Sequence, residues 1–313
     1  MSHSLNRRAF LQSSAAAAAG AALVGSATGA LAADEKKPAA AEAAPKLKLR
    51  KAVKFSMIAE GKTIKDKLEL IKSLGFEGVE MDSPSDINRE EAKRAAEETG
   101  IVIHGVIDSV HWKQRFSDPD PAIRAKGLEA LHTAIDDAKF YGATTVLVVP
   151  GKVGDPKNEN FEQCWERSQA EIKKAIPWAK EANVKIAIEV VWNYFITRPD
   201  QLVKYVDEFN DPTVGAYFDV TNMIRFGFPP QQWIRDLGKR MFKFDFKAYS
   251  HVKFMNEQSP WVPIGEGDEP WPKVLKALAD VGYEGWATSE VSAGGRDHLK
   301  DVAARMDKVL GLA

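Results

Sequence analysis

The stretch Lys185-Ile-Ala-Ile-Glu-Val-Val-Trp-Asn193 carries the pattern on which the fold prediction rests. The β-favouring residues Ile186, Ile188 and Val190 occupy every second position, which predicts a short strand. Glu189 therefore points to the face opposite the isoleucines, at the end of an otherwise apolar run. A carboxylate there is costly to bury unless a positive group meets it, so Glu189 is the first candidate for a functional site.

The unit of a short apolar strand followed by an amphipathic helix recurs eight times from Ala52 onward. The predicted strands cover residues 53–57, 78–81, 101–107, 145–149, 185–189, 214–219, 241–247 and 286–290. Eight such units in about 260 residues predict an α/β fold, a parallel (β/α)8 TIM barrel. A doubly wound open sheet ranks second, because no G-x-G-x-x-G or P-loop motif follows a strand.

The N-terminal segment is typical of an export signal followed by a linker. Within residues 1–33, Asn6-Arg7-Arg8-Ala9-Phe10-Leu11-Gln12 resembles the twin-arginine motif, and Ala30-Leu31-Ala32 offers small residues for cleavage. The Ala-rich run between them is too poor in large apolar residues for a stable membrane anchor. Residues 34–50 are expected to form a disordered, flexible linker, which leaves 51–313 for the barrel. We therefore expect a periplasmic or otherwise exported protein; a disordered Ala-rich tail with a chance Arg-Arg pair is the alternative.

The composition excludes several classes of function. The formal net charge of -1 provides no basic excess for binding nucleic acid or anionic membranes. Cys164 is the single cysteine, so neither an internal disulfide nor a thiolate zinc site can form. The expected partner is a small molecule, and a homo-oligomer is compatible with the sequence.

Acidic residues end the last four predicted strands, namely Glu189, Asp219, Asp245 and Glu290. Barrel enzymes build their active sites at the C-terminal ends of the strands, so these four side chains are expected to converge. Each acid alone is more often a helix cap or an ion-pair partner, but four in consecutive repeats require a cation. Because the set has no His or Cys, it favours Mn²⁺ or Mg²⁺, with Co²⁺ or Zn²⁺ as alternatives.

The seventh predicted strand, Phe242-Lys-Phe-Asp-Phe-Lys247, separates its side chains by parity. Its three phenylalanines are expected to pack on the helices, which leaves Lys243, Asp245 and Lys247 facing the barrel axis. The alternative is that the two lysines simply pair with Asp245.

Several segments in this order and spacing resemble the xylose isomerase-like barrel superfamily. The resemblance is strongest to its sugar isomerase/epimerase branch, which contains ketose 3-epimerases, hydroxypyruvate isomerases and inosose dehydratases. The matching segments are Gly78-Val-Glu80, Ser117-Asp-Pro-Asp-Pro with Arg124, Val148-Val-Pro-Gly151, Ile188-Glu189, Phe218-Asp219-Val-Thr-Asn222, Ile264-Gly-Glu-Gly-Asp268 and Gly282-Tyr-Glu-Gly-Trp with Ser289-Glu290.

The resemblance implies a metal bound by the four strand-end acids, with Glu189 and Glu290 also serving as acid and base. The chain departs from the family at strand seven, where Asp245 replaces the usual His. It departs again at Asn222, where many relatives carry a substrate-binding His.

The expected function is a metal-dependent sugar isomerase or epimerase that moves a proton through an enediolate. The alternatives are a lyase or dehydratase acting on a keto-sugar or cyclitol, and a non-catalytic carbohydrate-binding barrel with a degenerate metal site. A nuclease of the same superfamily would need a His-rich site, which six scattered histidines do not supply. The candidate substrate-binding residues are Glu80, His111, Trp112, Asn222, Lys247 and Arg296.

Overall fold

Eight short strands alternate with helices along the chain, as the spacing of the apolar runs predicts. The computed structural model describes residues 47–312. The strands are β1 (Leu49–Lys54), β2 (Gly78–Ser83), β3 (Val102–Asp108), β4 (Thr145–Val148), β5 (Lys185–Glu189), β6 (Val214–Asp219), β7 (Met241–Phe246) and β8 (Gly285–Ser289). The α-helices are α1 (Ile64–Ser73), α2 (Arg89–Thr99), α3 (Pro121–Tyr141), α4 (Phe161–Ala182), α5 (Pro199–Asp207), α6 (Pro230–Leu237), α7 (His251–Met255), α8 (Trp271–Asp280) and α9 (Arg296–Leu310).

Each strand pairs in parallel with the next one, and β8 pairs with β1, so the sheet closes into a barrel. The predicted (β/α)8 fold is therefore confirmed. The predicted export signal and residues 34–46 of the predicted linker lie outside the described residues. The linker was predicted to extend to residue 50, but β1 already begins at Leu49.

Local sequence signals fix the helix boundaries. Thr63 caps α1 through a reciprocal capping box with Asp66. The Asn88 side chain caps α2 by accepting a hydrogen bond from the Glu91 amide. Gly100 then ends α2 in the left-handed conformation, which a residue without a Cβ adopts at little cost.

Parity separates the side chains of the strands into two layers. Ile186, Ile188 and Phe244 belong to the main apolar core between the strands and the helices. A smaller cluster, formed by Ile107, Leu147, Ala187 and Tyr217, fills the barrel interior. Small interior layers of this kind make a TIM barrel a packed core with its site at one end.

The parity prediction assigned one side chain to the wrong layer. Phe244 and Phe246 pack on the helices as expected, but Phe242 contacts the interior cluster. The pairing of β6 with β7 shifts between Ala216 and Tyr217, where β7 carries an extra residue. Because a bulge breaks the two-residue alternation, Phe242 turns inward.

Some strand ends also differ from the predicted bounds. Residues 55–57, which were predicted to form the last part of the first strand, form a 3-10 turn after β1. β7 and β8 each end one residue earlier than predicted, so Lys247 and Glu290 begin the following loops. The long loop after β7 contains the short helix α7. Among the described residues, no helix combines the length and the apolar character needed to span a membrane.

Candidate active site

The four predicted acids meet at the C-terminal end of the barrel. Glu189 ends β5, Asp219 ends β6, Asp245 lies near the end of β7, and Glu290 follows β8. Asp219 and Asp245 are direct partners in the β6–β7 register. One oxygen from each of the four carboxylates lies within 4.8 Å of those of the other three. The predicted convergence is therefore confirmed.

Two lysines lie among these carboxylates. Lys54 Nζ, at the end of β1, lies 2.9 Å from Asp245 Oδ2 and 2.7 Å from Glu290 Oε1. Lys247 Nζ lies 2.6 Å from Asp219 Oδ2 and also forms a short ion pair with Glu290 Oε2. We call the four acids and these two lysines the rim cluster. Its formal charge is two minus, which matches one divalent cation.

The two glutamates of the rim cluster have opposite electrostatic environments. Burial, together with the charge of Asp245, raises the pKa of Glu189 well above its usual range. Burial also acts against ionisation of Glu290, but Lys54 and Lys247 outweigh it and lower the pKa of Glu290 to about 2. Glu290 is therefore held as an anion, whereas burial and the neighbouring carboxylates make Glu189 harder to ionise.

The two aspartates differ in their hydrogen bonds. Asp219 Oδ1 accepts bonds of 2.6 and 2.7 Å from the amides of Thr221 and Asn222. Asp245 is fully buried, and neither of its oxygens accepts a hydrogen bond from any described residue; Lys54 Nζ faces Oδ2 as an ion pair without hydrogen-bond geometry. Burial raises the pKa of Asp245 to about 7. Unpartnered oxygens on a buried carboxylate fit the need of a hard cation for oxygen ligands.

Comparisons with known proteins agree with this geometry. Residues 68–309 match the family of xylose isomerase-like TIM barrels. The chain belongs to this family. A similar curated protein is the L-ribulose-5-phosphate 3-epimerase of Escherichia coli O1:K1, which is 26% identical over 256 residues, covering 78% of this chain and 88% of the relative.

Two solved structures share the fold. D-psicose 3-epimerase from Clostridium cellulolyticum H10 superposes with a TM-score of 0.66 at 20% identity, over 83% of this chain and 99% of the other. The 3-keto-D-glucoside 4-epimerase from E. coli gives a TM-score of 0.69 at 16% identity, over 84% and 99%. Both proteins are named as epimerases, which are isomerases.

In this xylose isomerase-like barrel, a cavity of about 440 Å³ opens above the rim cluster. Four of the predicted substrate-binding residues line it: His111, Trp112, Asn222 and Lys247. Sequence analysis missed further lining residues, among them Lys54, Asp82, Asp108, Trp192 and Trp261. The cavity therefore lies at the C-terminal end of the strands, where TIM-barrel enzymes build their active sites.

Lys54 is the most consequential residue that the sequence analysis missed. It ends β1, but the first strand was predicted to run from 53 to 57, which placed Lys54 near its beginning. A lysine at the end of an apolar strand is as costly to bury as Glu189, so the same reasoning would have found it once the strand end was right. Burial opposes its charge, yet Asp245 and Glu290 raise the pKa of Lys54 well above its usual range.

Asp108 and His111 form the wall of the cavity that follows β3. Both side chains are buried, and neither Asp108 Oδ2 nor His111 Nδ1 has a hydrogen-bond partner among the described residues. Burial raises the pKa of Asp108 to about 7 and lowers the pKa of His111 to about 3. Between about pH 3 and about pH 7, both side chains are therefore neutral, and each has a polar atom without a hydrogen-bond partner among the described residues. Such atoms suit the hydroxyls of a ligand.

Two predicted substrate-binding residues lie elsewhere. Glu80 faces inward but is fully buried below the cavity, and its Oε1 accepts a 2.9 Å hydrogen bond from the Tyr217 hydroxyl. β2 continues to Ser83, so Asp82 is the residue of that strand that reaches the cavity. Arg296 contacts Ser73 and Glu60 at the start of α9, and the structure does not bring it to the lining of this cavity.

A stacked tryptophan pair borders the cavity opening. The rings of Trp192 and Trp261 lie 5.0 Å apart and nearly parallel, and Trp192 Nε1 donates a 2.8 Å hydrogen bond to the Asn222 carbonyl. Trp112, which also lines the cavity, is half-exposed. Exposed indole rings around a polar cavity suit the apolar faces of sugar rings.

Proposed function

We propose that this protein is a metal-dependent sugar epimerase or isomerase that moves a proton at a carbon next to a ketose carbonyl. The observation that carries the proposal is the convergence of four carboxylates from β5 to β8, each with an oxygen within 4.8 Å of the others. Membership of the xylose isomerase-like family and the epimerases among its relatives support the same class of reaction.

The residues that would hold the metal are Glu189, Asp219, Asp245 and Glu290. Four carboxylates and no nitrogen or sulfur ligand favour Mn²⁺ or Mg²⁺. When bound, such an ion polarises a carbonyl and lowers the energy of the negative charge that develops when the neighbouring carbon loses its proton. The two-minus formal charge of the rim cluster supports a divalent ion.

Glu189 is the residue best placed to move the proton. Among the described residues, its side chain accepts one hydrogen bond, at 3.3 Å from Asn222 Nδ2, so Asn222 alone orients the carboxyl group by hydrogen bonding. Its raised pKa, which follows from burial, suits a group that both accepts and returns a proton. Asn222, predicted from its place in the sequence to bind substrate, acts here by orienting this carboxyl group.

Glu290 provides the second carboxylate, from a strand that is not a neighbour of β5. Both of its oxygens contact lysine ammonium groups, which hold it ionised. Ionised Glu290 would accept the proton from one face of the carbon, and protonated Glu189 would donate its own proton to the opposite face, which inverts that carbon. Lys54 and Lys247 are then close enough to stabilise negative charge on the reacting sugar.

The test measures solvent proton exchange into ketoses in D₂O by NMR, with Mn²⁺ added. Glu189→Gln and Glu290→Gln are each expected to lower the exchange rate by about 10²–10⁴-fold, because each removes a proton-transfer group. Glu181→Gln, an exposed position on α4, is the matched control and should exchange at the wild-type rate. Wild-type exchange in the Glu189 variant would show that the assignment is wrong.

A further inference from the structure

A second cavity lies beside the first one. Its volume is about 490 Å³, and it shares Lys247, Trp261 and Glu290 with the first cavity, so the two spaces meet at the rim cluster. The second cavity extends from this junction between the loop at 261–264 and the start of α9. The first cavity, where the proposed proton transfer takes place, therefore connects to a second cavity that this transfer does not require.

The wall between the two cavities is held in place. The backbone of Trp261 forms an antiparallel bridge with Tyr249, and the amide of Val262 donates a 3.1 Å hydrogen bond to the Ala248 carbonyl. The Trp261 ring stacks on Trp192, yet the residue stays 42% exposed. Trp261 therefore offers a positioned aromatic surface at the junction.

The lining of the second cavity combines apolar and polar side chains. Val262, Pro263, Ile264 and Val291 form the apolar part. Ser292, His298, Asp301 and Arg305 form the polar part. An aromatic edge, aliphatic walls and a few polar groups make the kind of lining that receives a sugar ring.

The charged side chains that line the second cavity do not favour a phosphate. Arg305 is ion-paired with Asp301 at 2.7 Å and with Glu266 at 2.8 Å, so two carboxylates already surround the one guanidinium group. At the junction, Lys247 is ion-paired with Asp219 and Glu290. A phosphate needs unengaged cationic donors, and an uncharged group avoids the repulsion from these carboxylates.

We infer that the substrate is a glycoside, whose second, uncharged sugar ring occupies this second cavity while the ring with the reacting carbonyl occupies the first. The inference rests on the proposed function for the identity of the reacting ring. The second ring places its apolar C–H face against Trp261 and Val262 and its hydroxyls towards the polar side chains of the lining. The substrate class is thus a keto-sugar joined through a glycosidic bond to another sugar, and not a phosphorylated monosaccharide.

The test is calorimetric binding to the full chain with Mn²⁺ present. The ligands are D-fructose, D-fructose 6-phosphate and three disaccharides that keep the fructose ketone, namely turanose, isomaltulose and lactulose. At least one disaccharide is expected to bind about tenfold more tightly than fructose, because the second ring fills an existing cavity, whereas the 6-phosphate should bring no gain. Equal affinities for fructose and all three disaccharides, or tightest binding of the phosphate, would overturn the inference.

Val262→Trp fills the second cavity and is expected to remove most of the gain of the preferred disaccharide over fructose. Val252→Trp, the same change at an exposed position of α7 outside both cavities, is the matched control and should keep that gain. If Val262→Trp kept the gain of the disaccharide too, the second ring would lie elsewhere.

Proton exchange on the same sugars separates the two proposals. Tight disaccharide binding without exchange contradicts the proposed reaction, and exchange with no preference for a disaccharide contradicts the assignment of the second cavity.

Discussion

Two polar clusters occupy the inside of this barrel, and they differ in charge balance. The rim cluster has four carboxylates and two lysines and faces a cavity. The inner cluster, formed by Glu80, His104, Tyr217, Lys243 and Thr288, has one carboxylate and one lysine and is buried. Three pairs of residues, each two positions apart, connect the clusters: Tyr217 lies below Asp219, Lys243 below Asp245 and Thr288 below Glu290. On β2, Glu80 belongs to the inner cluster and Asp82 lines the cavity above it.

Most polar groups of the inner cluster are hydrogen-bonded within it, although Glu80 Oε2 has no hydrogen-bond partner among the described residues. The Tyr217 hydroxyl lies 2.9 Å from Glu80 Oε1 and 3.1 Å from Thr288 Oγ1, and Lys243 Nζ lies 2.9 Å from His104 Nδ1. Space is so tight that a Cβ on Gly105 would lie 2.6 Å from Glu80 Oε1. The comparison teaches that a balanced, closed network stabilises the barrel, whereas an unbalanced cluster beside a cavity is suited to bind a cation and a ligand.

The largest expected effect is at the rim cluster. Asp245→Asn removes one negative charge and a metal ligand, and we expect it to lower Mn²⁺ affinity and proton exchange at least about 100-fold. Asp245→His should keep metal binding and shift the preference towards Zn²⁺ or Co²⁺, because imidazole suits those ions. Metal titration of both variants, with exposed Asp136→Asn as the control, checks this. Unchanged Mn²⁺ affinity in Asp245→Asn would remove the distinction between the clusters.

The next effect concerns stability and lies in the inner cluster. Glu80→Gln or Lys243→Met alone leaves one buried charge without its counter-charge, so each should lower the free energy of unfolding by about 3 kcal/mol or more. The double variant should lose less than the sum of the two single changes. Urea denaturation measures these losses, and Mn²⁺ affinity should stay close to that of the wild type. A large loss of metal binding with unchanged stability would assign Glu80 to the site after all.

The smallest effect tests Asp108, a cavity-wall carboxyl group without a cationic partner among the described residues. Because burial raises its pKa to about 7, the folded protein retains this proton at pH values where the unfolded chain, with a pKa of about 3.9, has released it. This contribution therefore favours folding at low pH and is lost as pH rises from about 4 to about 7. The stability of Asp108→Asn relative to the wild type should therefore increase between pH 4 and pH 8. If the free energies of unfolding of the wild type and of Asp108→Asn changed in parallel with pH, the raised pKa of Asp108 would be contradicted.

Much of the site followed from simple sequence rules. The strand-then-helix repeat predicted the barrel, and the acids at four strand ends predicted the convergence that the structure has. The same rules failed where a strand end or a bulge was misplaced. Lys54 was missed because β1 ends at Lys54, and residues 55–57, predicted to continue the strand, form a 3-10 turn. Phe242 faces inward because β7 has a bulge.

By itself, the sequence determined which side chains of the regular strands point into the barrel, because side chains of a strand alternate between its two faces; Phe242, at the bulge, is the exception. It could not determine their height along the barrel axis, because height depends on the register between neighbouring strands. The tertiary structure alone therefore decided that Glu80 belongs to the buried inner cluster and Asp82 to the cavity. It also decided that Lys54, from β1, meets Asp245 and Glu290, since strand closure joins residues that are far apart in the chain.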